Sequence, residues 1–283
     1  MYFGGRTDLA CEALELEKLQ QLQRHGIHTD FERLEGLEVF SVEISSAEGA
    51  QRLGKPQGRY YTLELEQGFH YGREQLSRSA MAISALLRRC LPEPLPDSVL
   101  VAALGNPDIT PDAIGPLAAA NVLVTRHLKQ RGVSGFEGFA STMLCRTGVL
   151  GTTGLESAAQ IAALCREARP AAVIAIDALA GNDASRLCRS VQICDCGISP
   201  GSGVGNDRQE LSRATLGVPV VALGMPTIID AASLCEGQAV ESMFVTPRDI
   251  DSLVRSAGKL LGYGINLALH PGLSLEDMEL LLG

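Results

Sequence analysis

The sequence predicts an α/β protein whose mainly parallel sheet is covered by helices on both faces, with an additional helix and strands at the N-terminus. Two observations predict this class. From residue 98 onward, short apolar runs alternate with helical stretches, and continuous apolar strands between helices are typical of a parallel sheet buried on both sides. The chain also has 283 residues, 46% of them apolar, which is enough to bury a sizeable core.

The N-terminal third contributes the additional elements. Leucines recur at helical intervals among Glu, Lys and Gln, and His25-Gly26 supplies a stop. In GRYYTLELE, apolar and polar residues alternate with the period of a half-buried strand. The predicted elements here are a helix at 9–24, strands at 36–45 and 58–66, a helix at 72–90, and a stiff PEPLP linker at 92–96.

The remaining elements build the central sheet. Ligands of such a sheet bind beyond the carboxyl ends of the strands, where polar loops gather. The predicted strands are SVLVAAL (98–104), AAVIAI (171–176) and VPVVAL (218–223), and the predicted helices are 116–130 and 155–168.

Composition excludes several classes of function. The net charge of −9 leaves no basic field for a nucleic-acid backbone, so no direct nucleic-acid partner is expected. No apolar run suits a signal peptide or a membrane span, which predicts a cytoplasmic protein without a membrane partner. The eight cysteines are scattered and are expected to be reduced thiols. We interpret the C-x-C pair, Cys194 and Cys196, as strand packing rather than a zinc site.

Two acids follow buried strands. The stretch LGNPDITPDAIGP (104–116) places Asp112 in the loop before a helix whose first turn accommodates Pro116. AAVIAIDALAG places Asp177 after another strand. Each acid could be a turn residue, as could Asn106 and Asp108. If the carboxyl oxygens of Asp112 and Asp177 lie within about 4 Å, their repulsion is roughly 4 kcal/mol and separates their ionisations by about three pK units. One acid would then stay protonated while the other ionised.

A glycine-rich segment, PGSGVGN (200–206), lacks the Lys-Ser/Thr pair of a phosphate-binding loop and does not fit a dinucleotide fingerprint. Gly201, Gly203 and Gly205 could let backbone amides approach an extended peptide or an oxyanion. We assign Asn106 to the same low-specificity group of substrate or oxyanion-loop candidates. A plain flexible loop is the alternative.

Several segments together resemble the spore germination proteases. They include RTDLACEA, GRYYTLELE, LGNPDITPDAIGPLAAANVLVTRHL, GVLGTTGLESA, VIAIDALA, ISPGSGVGNDRQELS and LGVPVVALGMPTIIDA. The resemblance implies a phosphorylase/hydrolase-like fold similar to that of hydrogenase maturation peptidases. It also implies an atypical aspartic endopeptidase with Asp112 and Asp177 as the catalytic pair.

The resemblance implies further properties. The substrates are small acid-soluble spore proteins in the forespore or spore core, the assembly is a homotetramer, and no cofactor is needed. RTDLACEA is similar to the family's self-processing point, so residues 1–8 are expected to be a propeptide, cut between Asp8 and Leu9, and residues 9–283 a single peptidase domain. The acidic side chain before the cut would need a basic subsite, with Arg126, Arg208 and Arg213 as candidates.

Two alternatives remain open. In the first, the same acids hold a divalent metal, as in the hydrogenase maturation peptidases. Metal sites usually recruit a histidine, and in the central region only His127 is available, whereas Ser199 stands where relatives often have His. In the second, the chain is a non-catalytic relative that binds spore proteins without cutting them.

Overall fold

The computed structural model describes residues 7–15, 25–66, 72–201, 208–231 and 243–282. A nine-stranded sheet has the order β1-β2-β3-β7-β8-β6-β4-β5, and β9 pairs with β8. The strands are β1 (Ile27–Leu34), β2 (Leu37–Ile44), β3 (Gly58–Glu64), β4 (Ser98–Leu104), β5 (Ser141–Gly148), β6 (Ala172–Gly181), β7 (Ser190–Cys194), β8 (Val220–Asp230) and β9 (Phe244–Val245).

The sheet has a parallel half and an antiparallel half. Strands β8, β6, β4 and β5 pair in parallel, as the alternating strand-helix pattern predicts. Strands β1, β2, β3 and β7 pair antiparallel and join the parallel half through β8. The α/β class is confirmed, and the sheet as a whole is mixed because the N-terminal strands extend it.

Helices cover both faces of this sheet. The described helices are α1 (Ala10–Glu15), α2 (Ala47–Leu53), α3 (Arg73–Cys90), α4 (Ile114–Ala119), α5 (Arg126–Gln130), α6 (Leu150–Thr153), α7 (Ser157–Ala168), α8 (Arg213–Leu216), α9 (Ile250–Leu269) and α10 (Leu275–Leu282). On one face α3, α4 and α9 bury apolar side chains against alternate residues of β4, β6 and β8. On the other face α7 packs over the parallel half and α1 over the antiparallel half. Among the described helices, none is both long and apolar enough to cross a bilayer.

The predicted helix at 116–130 is broken in two. The chain leaves α4 at Ala119 and re-enters a helix at Arg126. Between them, the fully buried Asn266 of α9 accepts a hydrogen bond from the Leu123 N–H and donates one to the Asn121 carbonyl, both at 2.8 Å. These bonds replace those that a continuous helix would have made, so a residue 143 positions away ends the helix.

Strand β6 runs past its neighbour β4. Its last β4 partner is Ile176, which lies opposite Ala103, whereas its pairing with β8 continues to Gly181. Asp177 was expected just after a strand, but it lies within β6, at the first position beyond the edge of β4. Past this point, β8 is the neighbour of β6 among the strands that the structure describes.

Candidate active site

Asp177 is held by the ladder that joins β6 to β8, where it lies opposite Gly224. Its neighbours Ile174 and Ile176 belong to the core under α3, α4 and α9. The side chain is 5% exposed, and its Oδ1 accepts the N–H of Ala178 at 3.0 Å. The Asp177 carboxyl is therefore almost completely buried, and its main chain is held by the pairing of β6 with β8.

Asp112 reaches the same end of the sheet from a short turn. It closes a 3-10 turn (Thr110–Asp112) directly before α4, and its Oδ2 accepts the N–H of Asn106 at 2.8 Å. The Asn106 side chain in turn accepts the N–H of Asp108 at 3.0 Å. The polar residues after β4 therefore form a closed loop that positions the Asp112 carboxyl, and Asn106 acts within it as a turn residue.

The electrostatics link the two acids. The pKa of Asp177 lies well above its ordinary value, first because of burial, and then because of the charges of Asp112 and Asp8. Burial also raises the pKa of Asp112, while the Asn106 N–H and the Arg208 charge oppose the rise. The Asp112 charge therefore acts on Asp177, and a shared catalytic site for the two acids stays a prediction.

A cavity beside Asp177 contains the start of the described chain. Asp8, Lys55, Tyr60, Asp177, Gln192 and Gly201 are among the residues that line it. Of the predicted loop glycines, Gly201 lines this cavity, whereas Gly203 and Gly205 lie outside the described residues. Residues 1–6 of the expected propeptide also lie outside the described residues, and Asp8, its last residue, lines the cavity.

Asp8 is hydrogen-bonded to the main chain of β6. The Asp8 N–H donates to the Ala180 carbonyl at 2.9 Å, and the Ala180 N–H donates to the Asp8 carboxylate at 2.8 Å. Leu9, on the other side of the expected cut, is fully buried against Leu179. Glu12 accepts the N–H groups of residues 182 and 183 and so fixes α1 to the loop after β6.

The cavity also contains a cation that sequence analysis missed. The half-buried Lys55 donates to the Thr7 carbonyl at 2.8 Å. Burial lowers the pKa of Lys55, and the negative charge of Asp8 acts against that shift. No local pattern marks Lys55, because it follows α2 in the antiparallel half and meets Asp8 only through the sheet order.

The three predicted arginines occupy different places. Arg208 acts on both acids, since its charge lowers the pKa of Asp112 and of Asp177. Arg126 donates to Met143 and to the Ala168 carbonyl, at the other end of the parallel sheet. Arg213 is exposed at the start of α8.

The remaining candidates are spread over the fold. Cys194 packs into the core beneath α1, which confirms the strand interpretation, and both thiols of the C-x-C pair are free. His127 is exposed on α5. Within the described ranges, no three His, Cys, Asp or Glu side chains are grouped closely enough to hold a metal ion.

An α/β sheet in which the charge of Asp112 acts on a buried Asp177, with Asp8 hydrogen-bonded to the same strand, has features expected of a peptidase cleft. Comparison with known proteins identifies the family. Residues 6–244 match the family model of the germination protease. The germination protease of Clostridium perfringens (strain ATCC 13124) is 34% identical over 321 aligned positions, which cover 98% of each chain. That of Bacillus cereus (strain ATCC 14579) is 38% identical over 284 positions, covering 98% of this chain and 77% of the relative.

The chain therefore belongs to the germination protease family, whose members are proteases of spore germination. Among solved structures, a NiFe hydrogenase maturation protease from Thermococcus kodakarensis aligns with 65% of this chain and 98% of its own, at 16% identity and a TM-score of 0.38.

Proposed function

We propose that this protein is an endopeptidase that begins the degradation of small acid-soluble spore proteins in the spore core, with Asp112 and Asp177 as its catalytic pair. The observation that carries this proposal is a buried carboxyl on β6, Asp177, whose pKa is raised by burial and then by the charge of Asp112. If the two acids interact by more than about one pK unit, they titrate as a pair, and over a range of pH one is ionised and the other protonated. A pair in that state offers a base for water and an acid for the leaving group.

The surroundings assign the proton within the pair. Asp112 is the more exposed acid and accepts the Asn106 N–H, so it carries the charge. Asp177 is more deeply buried and keeps the proton. Asp112 then removes a proton from water as the water oxygen bonds to the scissile carbonyl carbon. When the C–N bond breaks, the leaving nitrogen takes up the proton supplied by Asp177, and no covalent intermediate forms.

We further propose that the chain is made as a zymogen that cuts itself between Asp8 and Leu9. Asp8 lines the same cavity as Asp177, and its charge contributes to the raised Asp177 pKa. While this bond is intact, Asp8 lines the cavity and binds the main chain of Ala180. Removal of residues 1–8 would free these positions for a substrate, and intact-mass measurement over time would detect the loss of these residues.

The decisive experiment incubates the purified protein with a small acid-soluble spore protein and identifies the fragments by mass spectrometry. Asp112→Asn and Asp177→Asn should each slow cleavage by about 10²–10⁴-fold, the usual contribution of a general acid or base. Asp108→Asn is the matched control, because Asp108 is an exposed acid of the same loop. Cleavage at the wild-type rate by both active-site variants would refute the assignment.

Two further arms test the finer points. Activity that is lost with a chelator and restored by a divalent cation would favour a metal-dependent mechanism. Light scattering tests the homotetramer implied by the family resemblance, which requires four times the chain mass of 30.0 kDa. A mass equal to one chain at working concentration would contradict it.

A further inference from the structure

We propose that Gln192 is an oxyanion-stabilising residue of this peptidase and that its amide holds the main chain on both sides of the cut. The inference rests on the proposed cleavage between Asp8 and Leu9. The Gln192 Nε2 donates to the Asp8 carbonyl oxygen at 2.9 Å, and that carbonyl belongs to the bond to be cut. The Gln192 Oε1 accepts the N–H of Ala10, the second residue after the cut, at 2.7 Å.

The fold presents this amide rigidly. Gln192 lies in the middle of β7, opposite Thr62 of β3 and Gly224 of β8, and its side chain is 7% exposed. Gly224 is also the β8 partner of Asp177, so the amide and the acid project from strands on either side of one residue. Both ends of the amide are bound to the peptide, and its orientation is fixed before any reaction.

The donor has a direct chemical role. When the water oxygen bonds to the carbonyl carbon, the carbonyl π electrons move to the Asp8 oxygen, which becomes an oxyanion. A preorganised N–H at that oxygen stabilises the negative charge more than it stabilises the neutral carbonyl, and this difference lowers the barrier. The Lys55 ammonium donates to the carbonyl of Thr7, one residue earlier, and Gln192 is the donor to the reacting oxygen.

The acidic side chain before the cut binds a different donor. The Ala180 N–H, a main-chain donor next to this residue, bonds to the Asp8 carboxylate at 2.8 Å. The main-chain oxygen of Asp8 accepts from Gln192 while the side chain accepts from Ala180. This division of donors gives a physical reason for an acidic residue at this position.

Self-cleavage of the full chain is the suitable reaction for a test, because it is intramolecular and separate substrate binding does not enter the rate. We expect Gln192→Met to slow the loss of residues 1–8 by about 10²–10³-fold, the usual effect of removing one oxyanion donor. Gln160→Met is the matched control, since the Gln160 amide also donates to backbone carbonyls, those of Thr147 and Leu155, near β5 at the other end of the strand order. It should cleave within about twofold of the wild type.

A second variant separates chemistry from structure. Gln192→Glu keeps an acceptor for Ala10 but loses the donor when ionised, so it should be slow at neutral pH. Relative to the wild type, its rate should recover as the pH falls, because a protonated carboxyl again donates to the Asp8 oxygen. A purely structural Gln192 would lower the melting temperature of both variants and leave the ratio of rates flat with pH.

The outcomes distinguish the two proposals. If the wild type cleaves at Asp8–Leu9 and the Asp112 and Asp177 variants do not, the pair assignment stands. In that case, a Gln192→Met rate within threefold of the wild type, or a flat pH ratio for Gln192→Glu, overturns the role of Gln192 alone. If the wild type never loses residues 1–8, the proposed self-processing fails, and the Gln192 inference fails with it.

Discussion

Replacing Gly105 with alanine should displace Asp112 without changing any charge. Gly105 follows β4 with φ at +101°, and a Cβ built there would lie 2.1 Å from the Asp112 carbonyl oxygen and 3.2 Å from its Oδ1. Contacts of a real Cβ under 3.0 Å essentially do not occur. The turn that carries Asp112 must therefore retreat by about 0.9 Å, the difference between 3.0 and 2.1 Å.

A shift of about 1 Å in a catalytic group can cost roughly 10²-fold in rate, which corresponds to about 2.7 kcal/mol of activation free energy. Gly132→Ala provides the control, because Gly132 also has a positive φ, +65°, but has nothing within 4 Å of the added Cβ. Both variants place a Cβ-bearing L residue at a positive φ, which costs about 1–2 kcal/mol of stability. Only Gly105→Ala adds the displacement of Asp112.

The assay measures cleavage of a small acid-soluble spore protein and urea unfolding for both variants. We expect Gly105→Ala to be about 10²-fold slower than Gly132→Ala after both are confirmed to be folded. Equal rates for the two variants would show that the position of Asp112 does not control the reaction and would refute a catalytic role for this turn.

Two further predictions concern charge in the cleft. Lys55→Met should slow self-cleavage by roughly tenfold or more, since a hydrogen bond from a charged group contributes about 1.5–3 kcal/mol. The loss of rate should be smaller in an Asp8→Asn background. An equal loss in both backgrounds would show that Lys55 does not act through Asp8. Burial and the Asp112 charge raise the pKa of Asp177 in the folded protein above its value in the unfolded chain. The protonated carboxyl therefore makes its full contribution to the free energy of unfolding below about pH 4, and this contribution is lost as the pH rises through the folded pKa. Asp177→Asn should therefore be the more stable chain above that window and should unfold in urea with a flatter pH dependence, whereas a parallel dependence would contradict the raised pKa.

Local patterns predicted the parts of the fold that local physics controls. The apolar strands β4, β6 and β8 and the helices α3 and α7 were all anticipated, because period and flanking residues determine them. The break between α4 and α5 was not, since it depends on Asn266 from a distant helix. Strand β7 is five residues long and was read only as a packing environment for Cys194.

The same distinction applies to the site. Asp112 and Asp177 were expected at one end of the sheet because both follow from strand positions in the parallel half, where carboxyl ends share one edge; their catalytic role stays a prediction. Lys55 and Gln192 escaped prediction because they reach the cleft through the pairing of β3 with β7 and of β7 with β8, which no local pattern encodes.

The overhang of β6 beyond β4 has a consequence for how this protein could change over generations. The N–H that donates to the Asp8 carboxylate belongs to the main chain of Ala180. A substitution at position 180 therefore keeps this hydrogen bond unless the new residue is proline, which has no N–H. The proposed preference for an acidic residue before the cut would therefore be difficult to lose through single substitutions at position 180. A change in this preference would have to begin at other positions, such as Lys55 or the residues that set the spacing of the strands.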